Sequence, residues 1–191
     1  MSKSSDKLSW LEKSFAFYAS YHDNPTNQLI HIICVWPILW TALLFLSYTS
    51  PLMREQVQGY DVNWAFILTC IYCAYYAVIE LPGIVGPLAS AMTAASFVTV
   101  NIVKDTYEDP WKIGLAVHVT CWVAQFYGHG VHEKRAPALF DNLFQAFIMA
   151  PLFVLMEVFF KLGYKRSFHD RINVIVAENK KIFAEEAKKA K

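Results

Sequence analysis

Histidine is the residue type whose placement in this 191-residue chain points to chemistry. Four of the six histidines flank or lie within strongly apolar segments: His22, His31, His118 and His129. An ionisable or metal-binding side chain at membrane depth is costly, so such a residue is a functional candidate by default. His132 and Glu133 follow His129 within about one further helical turn. This density of imidazole in an apolar chain indicates a metal site.

The fourth apolar segment of the chain carries a polar stripe. His118, Gln125 and His129 fall on one helical face, which must turn towards the protein interior because lipid cannot satisfy polar groups. His118 and His129 are nevertheless ~16 Å apart along an ideal helix, too far for one ion with ligand bonds near ~2 Å. Three alternatives remain open. The glycines beside His129 break the helix, two metals bind, or one of these histidines supports a ligand without being one.

The other two histidines belong to the sequence YHDNPTNQLIH near the N-terminus. Its Asn-Pro dipeptide predicts a turn, and Asn27 is predicted to cap a helix that begins at Gln28. His31 then lies in the first turn of that helix, at the membrane surface. The preceding turn can fold His22 back towards it.

Five apolar segments must position these residues in a chain that is 55% hydrophobic and 17% charged, against roughly 25% charged in soluble domains. Each approaches the ~20 residues that cross a bilayer core. The segments are Ile32–Thr49, Asn63–Glu80, Gly83–Val103, Ile113–Val131 and Leu143–Leu162. The net charge of +1 shows no basic stripe, which argues against nucleic acid as a partner.

Both ends of the apolar region are basic, which places both in the cytosol and requires an even number of crossings. The basic residues are Lys3, Lys7 and Lys13 at one end and Lys161, Lys165, Arg166 and Arg171 at the other. The fifth segment contains Pro151 and Glu157, so we predict that it is kinked or re-entrant. The expected fold is an all-α integral membrane protein with four full transmembrane helices. Antiparallel spans one and four would then bring His31 and His129 to the same cytosolic side.

Amphipathic helices are expected on either side of the apolar region. Leu8–Tyr21 has the spacing of an interfacial helix. Residues 1–166 are predicted to form a single membrane-embedded domain, and residues 167–191 a polar helical tail. The final Lys188-Lys189-Ala190-Lys191 resembles the dilysine signal of endoplasmic reticulum membrane proteins. A lysine-rich helix would produce the same match.

Charged residues near the histidines suggest supporting roles. Lys134 and Arg135 place cations where a fatty carboxylate head group would rest. Glu157 either pairs with Lys161, four residues on, or joins Gln125 in orienting a ligand histidine. Imidazole ligands suit iron, copper, zinc or nickel. In a lipid setting, this donor set favours non-haem iron chemistry on a lipid. A histidine-lined membrane transporter or proton relay would use the same intramembrane residues without oxidative chemistry.

Two sequences carry a family resemblance that covers about residues 10–165. YHDNPTNQLIH precedes a Pro-containing apolar span, and HVTCWVAQFYGHGVHEKRAPALFDNLFQAFIMAPLFVLMEVFF lies further along the chain. Together they resemble the 2-hydroxy fatty acid dioxygenases (Mpo-type) of the endoplasmic reticulum membrane. The resemblance implies an iron(II)-dependent enzyme of phytosphingosine breakdown. A 2-hydroxy long-chain fatty acid and O2 would give a fatty acid one carbon shorter by alpha-oxidation.

The resemblance also implies which residues bind Fe2+. The family's histidine positions map onto His22, His31, His118 and His129, with His132 and Glu133 as weaker candidates. The enzyme would be a multi-pass protein of the lipid bilayer with both termini in the cytosol. The sequence indicates no particular oligomeric state.

Overall fold

The computed structural model describes residues 9–137 and 142–189. Lys3, Lys7 and the final Ala190-Lys191, on which two of the predictions depend, lie outside these ranges. The described residues fold as α1 Trp10–Tyr21, α2 Pro25–Leu46, α3 Trp64–Ile79, α4 Val85–Thr106, α5 Pro110–Tyr127, the π-helical turn π1 Gly128–Glu133, the π-helical turn π2 Gln145–Met149, α6 Ala150–Lys161 and α7 Arg166–Lys189. The prediction of an all-α protein is confirmed.

Two helices of the described chain, α2 and α4, are by length and composition able to cross a membrane, with 22 residues each. The helix α3 is apolar but has 16 residues, and α5 is not among the helices apolar enough to cross. Gln145–Lys161 and Arg166–Phe183 would together make a third span, but they are bent by 111°. A membrane protein is therefore supported, while four full spans stay a prediction.

The chain divides into two compact units. The first comprises residues 1–29 and 128–191, and the second comprises Ile30–Tyr127. The helix α2 begins in the first unit and continues without interruption into the second.

The first unit has an aromatic core where α1, α6 and α7 pack together. The Phe15 ring meets those of Phe153 and Phe160 edge-on, with centroids 5.2 and 5.1 Å apart, and Phe168 lies at 6.2 Å. Edge-to-face pairs of this kind add ~0.5–1.5 kcal/mol beyond the area they bury. This core fixes the end of α1 from which His22 projects.

The start of α1 is held by its own cap and by α7. Ser9 and Glu12 form a capping box, in which the Ser9 hydroxyl accepts from the Glu12 N–H and the Glu12 carboxylate accepts from the Ser9 N–H. The guanidinium of Arg171 donates to the same carboxylate, with Nε 2.8 Å from Oε1. The N-terminal helix is thereby fastened to α7.

The second unit contains a hairpin of α3 and α4, which pack against each other. The buried carboxylate of Glu80 accepts from the backbone N–H groups of Val85 and Gly86, at 3.1 and 3.2 Å, and so supplies acceptors at the start of α4. Gly86 lies so close to the Tyr76 carbonyl that a Cβ there would clash. This close approach requires glycine.

One local prediction is wrong. The helix α2 begins at Pro25, earlier than the predicted Gln28. The side-chain oxygen of Asn24 accepts from the Thr26 N–H at 2.9 Å, so Asn24 supplies the cap. Proline is favoured in the first turn of a helix because its missing N–H is unpaired there anyway. Asn27 is instead completely buried and has another role, described below.

Candidate metal centre

Three of the four singled-out histidines come together. His22, His31 and His129 are buried, and each offers a nitrogen such that the three atoms all lie within 4.8 Å of one another. Two nitrogens bound to one ion at ~2.1 Å can be at most about 4.2 Å apart. A small inward movement would therefore let all three bind a single ion. Buried neutral imidazoles are the donors that iron, copper, zinc and nickel accept, so the set fits a metal without fixing which one.

The C-terminal end of α1 orients His22. Its Nδ1 atom lies 2.8 Å from the backbone carbonyl oxygen of Tyr18, which can only accept a hydrogen bond. Nδ1 therefore carries the proton, and Nε2 keeps the lone pair that a metal needs. The Tyr18 ring also stacks on the His22 ring, with centroids 4.1 Å apart. Ligand histidines characteristically have such a partner on the second nitrogen.

His129 lies on π1, immediately after α5 ends. Its ring meets that of His22 edge-on, with centroids 4.8 Å apart. The wider winding of a π-helix changes the direction of the side chains from that in a continuing α-helix, and π-helical turns are frequent at functional sites. The predicted regular stripe from His118 to His129 is thus interrupted at Gly128.

Glu133 joins π1 to the start of α2. Its Oε1 atom accepts from the Asn24 N–H at 2.8 Å and from the Asn27 side-chain amide at 3.2 Å. A carboxylate at a helix N-terminus is favoured both by the unpaired N–H groups and by the helix dipole. His31 lies one turn after Asn27 on the same helix. Glu133, a weaker ligand candidate, is therefore engaged in holding the ends of two ligand-bearing segments.

Arg135 fixes the chain just beyond π1. Its guanidinium carbon lies 3.9 Å from the centroid of the Tyr21 ring and 3.3 Å from that of Phe183. Its Nη1 atom donates to the Ser20 carbonyl at 3.4 Å. The neighbouring Lys134 is exposed. Of the two predicted carboxylate-binding cations, Arg135 is thus engaged between aromatic faces, and Lys134 is directed to the surface.

His118 lies in the second unit and is not among the three converging histidines. The Trp122 indole N–H, which can only donate, lies 3.0 Å from its Nε2 atom. Nδ1 must then carry the proton and donate to the Thr41 hydroxyl at 2.7 Å, which in turn donates to the Pro37 carbonyl. Both ring nitrogens are engaged, and the contact joins α5 to α2.

The remaining predicted residues are divided between the units. Gln125 is buried on α5, and its Nε2 atom has no hydrogen-bond partner in the described part of the chain. His132 is half-buried on π1 and is not part of the converging group. Glu157 is buried on α6 in the first unit.

Tyr18 is a site residue that the sequence did not single out. Burial raises the pKa of its hydroxyl well above the ordinary value, and the charges of Glu157 and Glu133 raise that pKa further. The hydroxyl therefore keeps its proton and can donate. The spacing gave one usable signal, because Tyr18 precedes His22 by four residues and so lies on the same face of a helix.

The fold and the site define a class of protein: all-helical, with helices able to cross a membrane, and with three buried histidines that could hold a metal ion. The chain belongs to the family described as 2-hydroxy-palmitic acid dioxygenase Mpo1-like, whose model matches residues 8–162. The family predicted from the two histidine-containing sequences is confirmed.

One relative supports the same family assignment. The chain is 34% identical over 155 residues to the 2-hydroxy-palmitic acid dioxygenase MPO1 of Saccharomyces cerevisiae, a match that covers 81% of this chain and 82% of that protein. No solved structure matches the chain.

Proposed function

We propose that this protein is an iron(II)-dependent dioxygenase that shortens 2-hydroxy fatty acids by one carbon. The observation that carries the proposal is the convergence of His22, His31 and His129 in a buried group. The yeast relative, named a 2-hydroxy-palmitic acid dioxygenase, supports the substrate class. Iron(II) bound by imidazole would supply the one-electron chemistry that lets dioxygen react with a closed-shell carbon compound.

The proposed reaction balances without a further reductant. A 2-hydroxy acid R–CH(OH)–COOH and O2 give R–COOH, CO2 and H2O. The bond between the carboxyl carbon and the hydroxyl-bearing carbon breaks, and the hydroxyl-bearing carbon becomes the new carboxyl group. The substrate supplies all four electrons that O2 takes up. No electron-transfer partner is therefore needed.

The roles of the chain's own residues are assigned from their contacts. His22, His31 and His129 would hold the ion, and the Tyr18 carbonyl would fix the His22 ring. Because Arg135 is engaged between two aromatic rings, we assign the substrate carboxylate to the exposed Lys134. His118, with both nitrogens hydrogen-bonded, is assigned to the packing of α5 on α2 rather than to the metal.

The cellular setting is part of the same proposal. We place the enzyme in the endoplasmic reticulum membrane, with four spans and both termini in the cytosol. There it would act in phytosphingosine breakdown, as the family resemblance implies. The apolar helices α2 and α4 are consistent with a substrate that is delivered from the bilayer.

The test is a direct assay of the purified protein in lipid nanodiscs. Incubation with iron(II), O2 and 2-hydroxypalmitic acid should yield the C15 acid and CO2, measured by mass spectrometry. Palmitic acid, which lacks the hydroxyl group, should give no C15 product. A protein that binds iron but forms no C15 acid would contradict the proposed reaction. A protein that takes up no metal would contradict the metal site itself.

A further inference from the structure

Among the buried polar atoms of the first unit that lack a hydrogen-bond partner in the described part of the chain are Tyr18 Oη and Glu157 Oε2. Both side chains are almost completely buried, with 5% of each residue exposed. The large majority of buried side-chain polar atoms in proteins are hydrogen-bonded, so these two unpaired atoms need an explanation. A ligand or a water molecule that binds there would supply one.

The two atoms belong to the same region of the first unit. The Tyr18 ring contacts that of Phe153, with centroids 5.2 Å apart, and Glu157 lies one helical turn after Phe153 on the same face of α6. Glu157 also lies close enough for its charge to act on the Tyr18 hydroxyl. The Tyr18 ring also stacks on the His22 ring, with centroids 4.1 Å apart. The unpaired atoms therefore lie beside the candidate metal centre.

The chemistry of the pair selects the group that it can bind. The Tyr18 hydroxyl can donate a hydrogen bond, and the unpaired Oε2 atom of Glu157 can accept one. The complementary group accepts one hydrogen bond and donates another, which describes an alcohol. A carboxylate can accept from Tyr18 but has no proton to give to Glu157 Oε2. The carboxylate of a fatty acid must then lie elsewhere, while its 2-hydroxyl matches the pair.

We propose that Tyr18 and Glu157 form a subsite that recognises the 2-hydroxyl group of the substrate. Tyr18 donates a hydrogen bond to the hydroxyl oxygen, and the hydroxyl group donates a hydrogen bond to Glu157. This inference rests on the proposed function for the identity of the substrate. It explains how the site distinguishes a 2-hydroxy fatty acid from the abundant fatty acids that lack the hydroxyl group.

The test compares two ligands that differ by this one group. Iron-loaded protein in nanodiscs is titrated under nitrogen, so that no turnover occurs, with 2-hydroxypalmitic and with palmitic acid, by displacement of a fluorescent fatty acid. Y18F and E157Q each remove one hydrogen-bonding function with little change in volume. Each should lower the preference for the hydroxylated acid about three- to tenfold, the range for one hydrogen bond. Affinity for palmitic acid and iron content should stay within twofold of wild type.

Matched controls separate this role from general effects of the substitutions. Y72F removes the hydroxyl group of a buried tyrosine in the second unit. E178Q alters a carboxylate on α7 whose Oε2 atom is likewise unpaired in the described residues. Both should keep the wild-type preference.

Two results would overturn the subsite. An unchanged preference in both Y18F and E157Q would mean that these atoms bind only structural water. Equal losses of affinity for both acids would mean a structural role. Because the readout is binding under nitrogen, it stays informative even if the protein forms no C15 acid, so failure of the subsite and failure of the proposed reaction are distinguishable.

Discussion

The carbonyl oxygen of Tyr18 lies 2.8 Å from Nδ1 of His22, one turn later at the end of α1. The helix thus uses one of its last carbonyl groups, which lack partners within the helix, to fix a side-chain tautomer. The same residue stacks its ring on the imidazole and presents a buried hydroxyl group. Tyr18 therefore links the backbone of α1 to the metal ligand and to the proposed substrate subsite.

Removal of any converging histidine should abolish metal binding. H22A, H31A and H129A each delete one of three nitrogens, and we expect a loss of iron affinity of about 100-fold or more, since even the removal of a ligand's hydrogen-bond partner costs ~10–100-fold. The measurement is iron per folded protein after desalting, by elemental analysis, alongside the C15 assay. H132A is the matched control, because His132 lies on π1 outside the group. Wild-type iron content in any of the three variants would remove that residue from the ligand set.

His118 should matter for stability rather than for metal content. H118A breaks hydrogen bonds to Thr41 and Trp122, for an expected loss of about 2 kcal/mol, or about 4–8 °C in Tm for a chain of this size. Iron per folded protein should not change. The double variant H118A/T41V should lose less than the sum of the single variants, because both substitutions remove the same interaction. Folded H118A without iron would instead establish His118 as a ligand.

Glu133 should tolerate glutamine but not alanine. A glutamine carbonyl can still accept from the Asn24 N–H, as Oε1 of Glu133 does at 2.8 Å. E133A leaves that N–H without its acceptor and loosens π1, so we expect ~10-fold weaker iron binding in E133A and near wild-type binding in E133Q. Iron titration combined with elemental analysis measures both. Equal loss in the two variants would show that Glu133 binds the metal through its charge.

The contact between α1 and α7 should give a pH-dependent stability. Burial alone would raise the pKa of Glu12, but hydrogen bonds from Ser9 and Arg171 outweigh it and hold the pKa below its ordinary value of 4.5. The carboxylate therefore stabilises the folded state above pH 4.5, and this contribution is lost as the pH falls through the lower, folded-state pKa.

The E12Q variant measures this contribution. Between pH 7 and 3.5 the wild-type Tm should fall further than that of E12Q. The difference at pH 7 should be about 2–4 °C, corresponding to ~1 kcal/mol for a partly exposed ion pair. Parallel pH profiles for the two proteins would show that Glu12 does not contribute in this way.

Helices with a strong hydrophobic periodicity were predictable from the sequence, and the residues at which helices begin were not. The apolar segments containing α2, α3 and α4 and the interfacial helix α1 are evident from hydrophobic spacing. The start of α2 was misplaced because Asn24 and Asn27 are equally good caps by type, and Asn27 is withdrawn into contact with Glu133.

The candidate site was predictable in its residue types and only partly in its arrangement. The position of His22, His31 and His129 in or beside apolar segments was enough to identify all three from the sequence. Helical spacing could not show that His118 would be engaged by Trp122 and Thr41, since that depends on how α5 packs on α2. Nor could it reveal the π1 turn, because π-helical winding is rare and occurs mostly as single turns within α-helices.

The π1 turn constrains how many residues the chain can have between Gly128 and Glu133. A Cβ on Gly130 would meet nothing within 4 Å, so its side chain is free to vary. Deleting one residue between Gly128 and Glu133 would restore ordinary α-helical winding and rotate the next residues of the chain by about 100°. Related enzymes should therefore keep His129 and Glu133, differ by substitutions at Gly130, and show neither insertions nor deletions here.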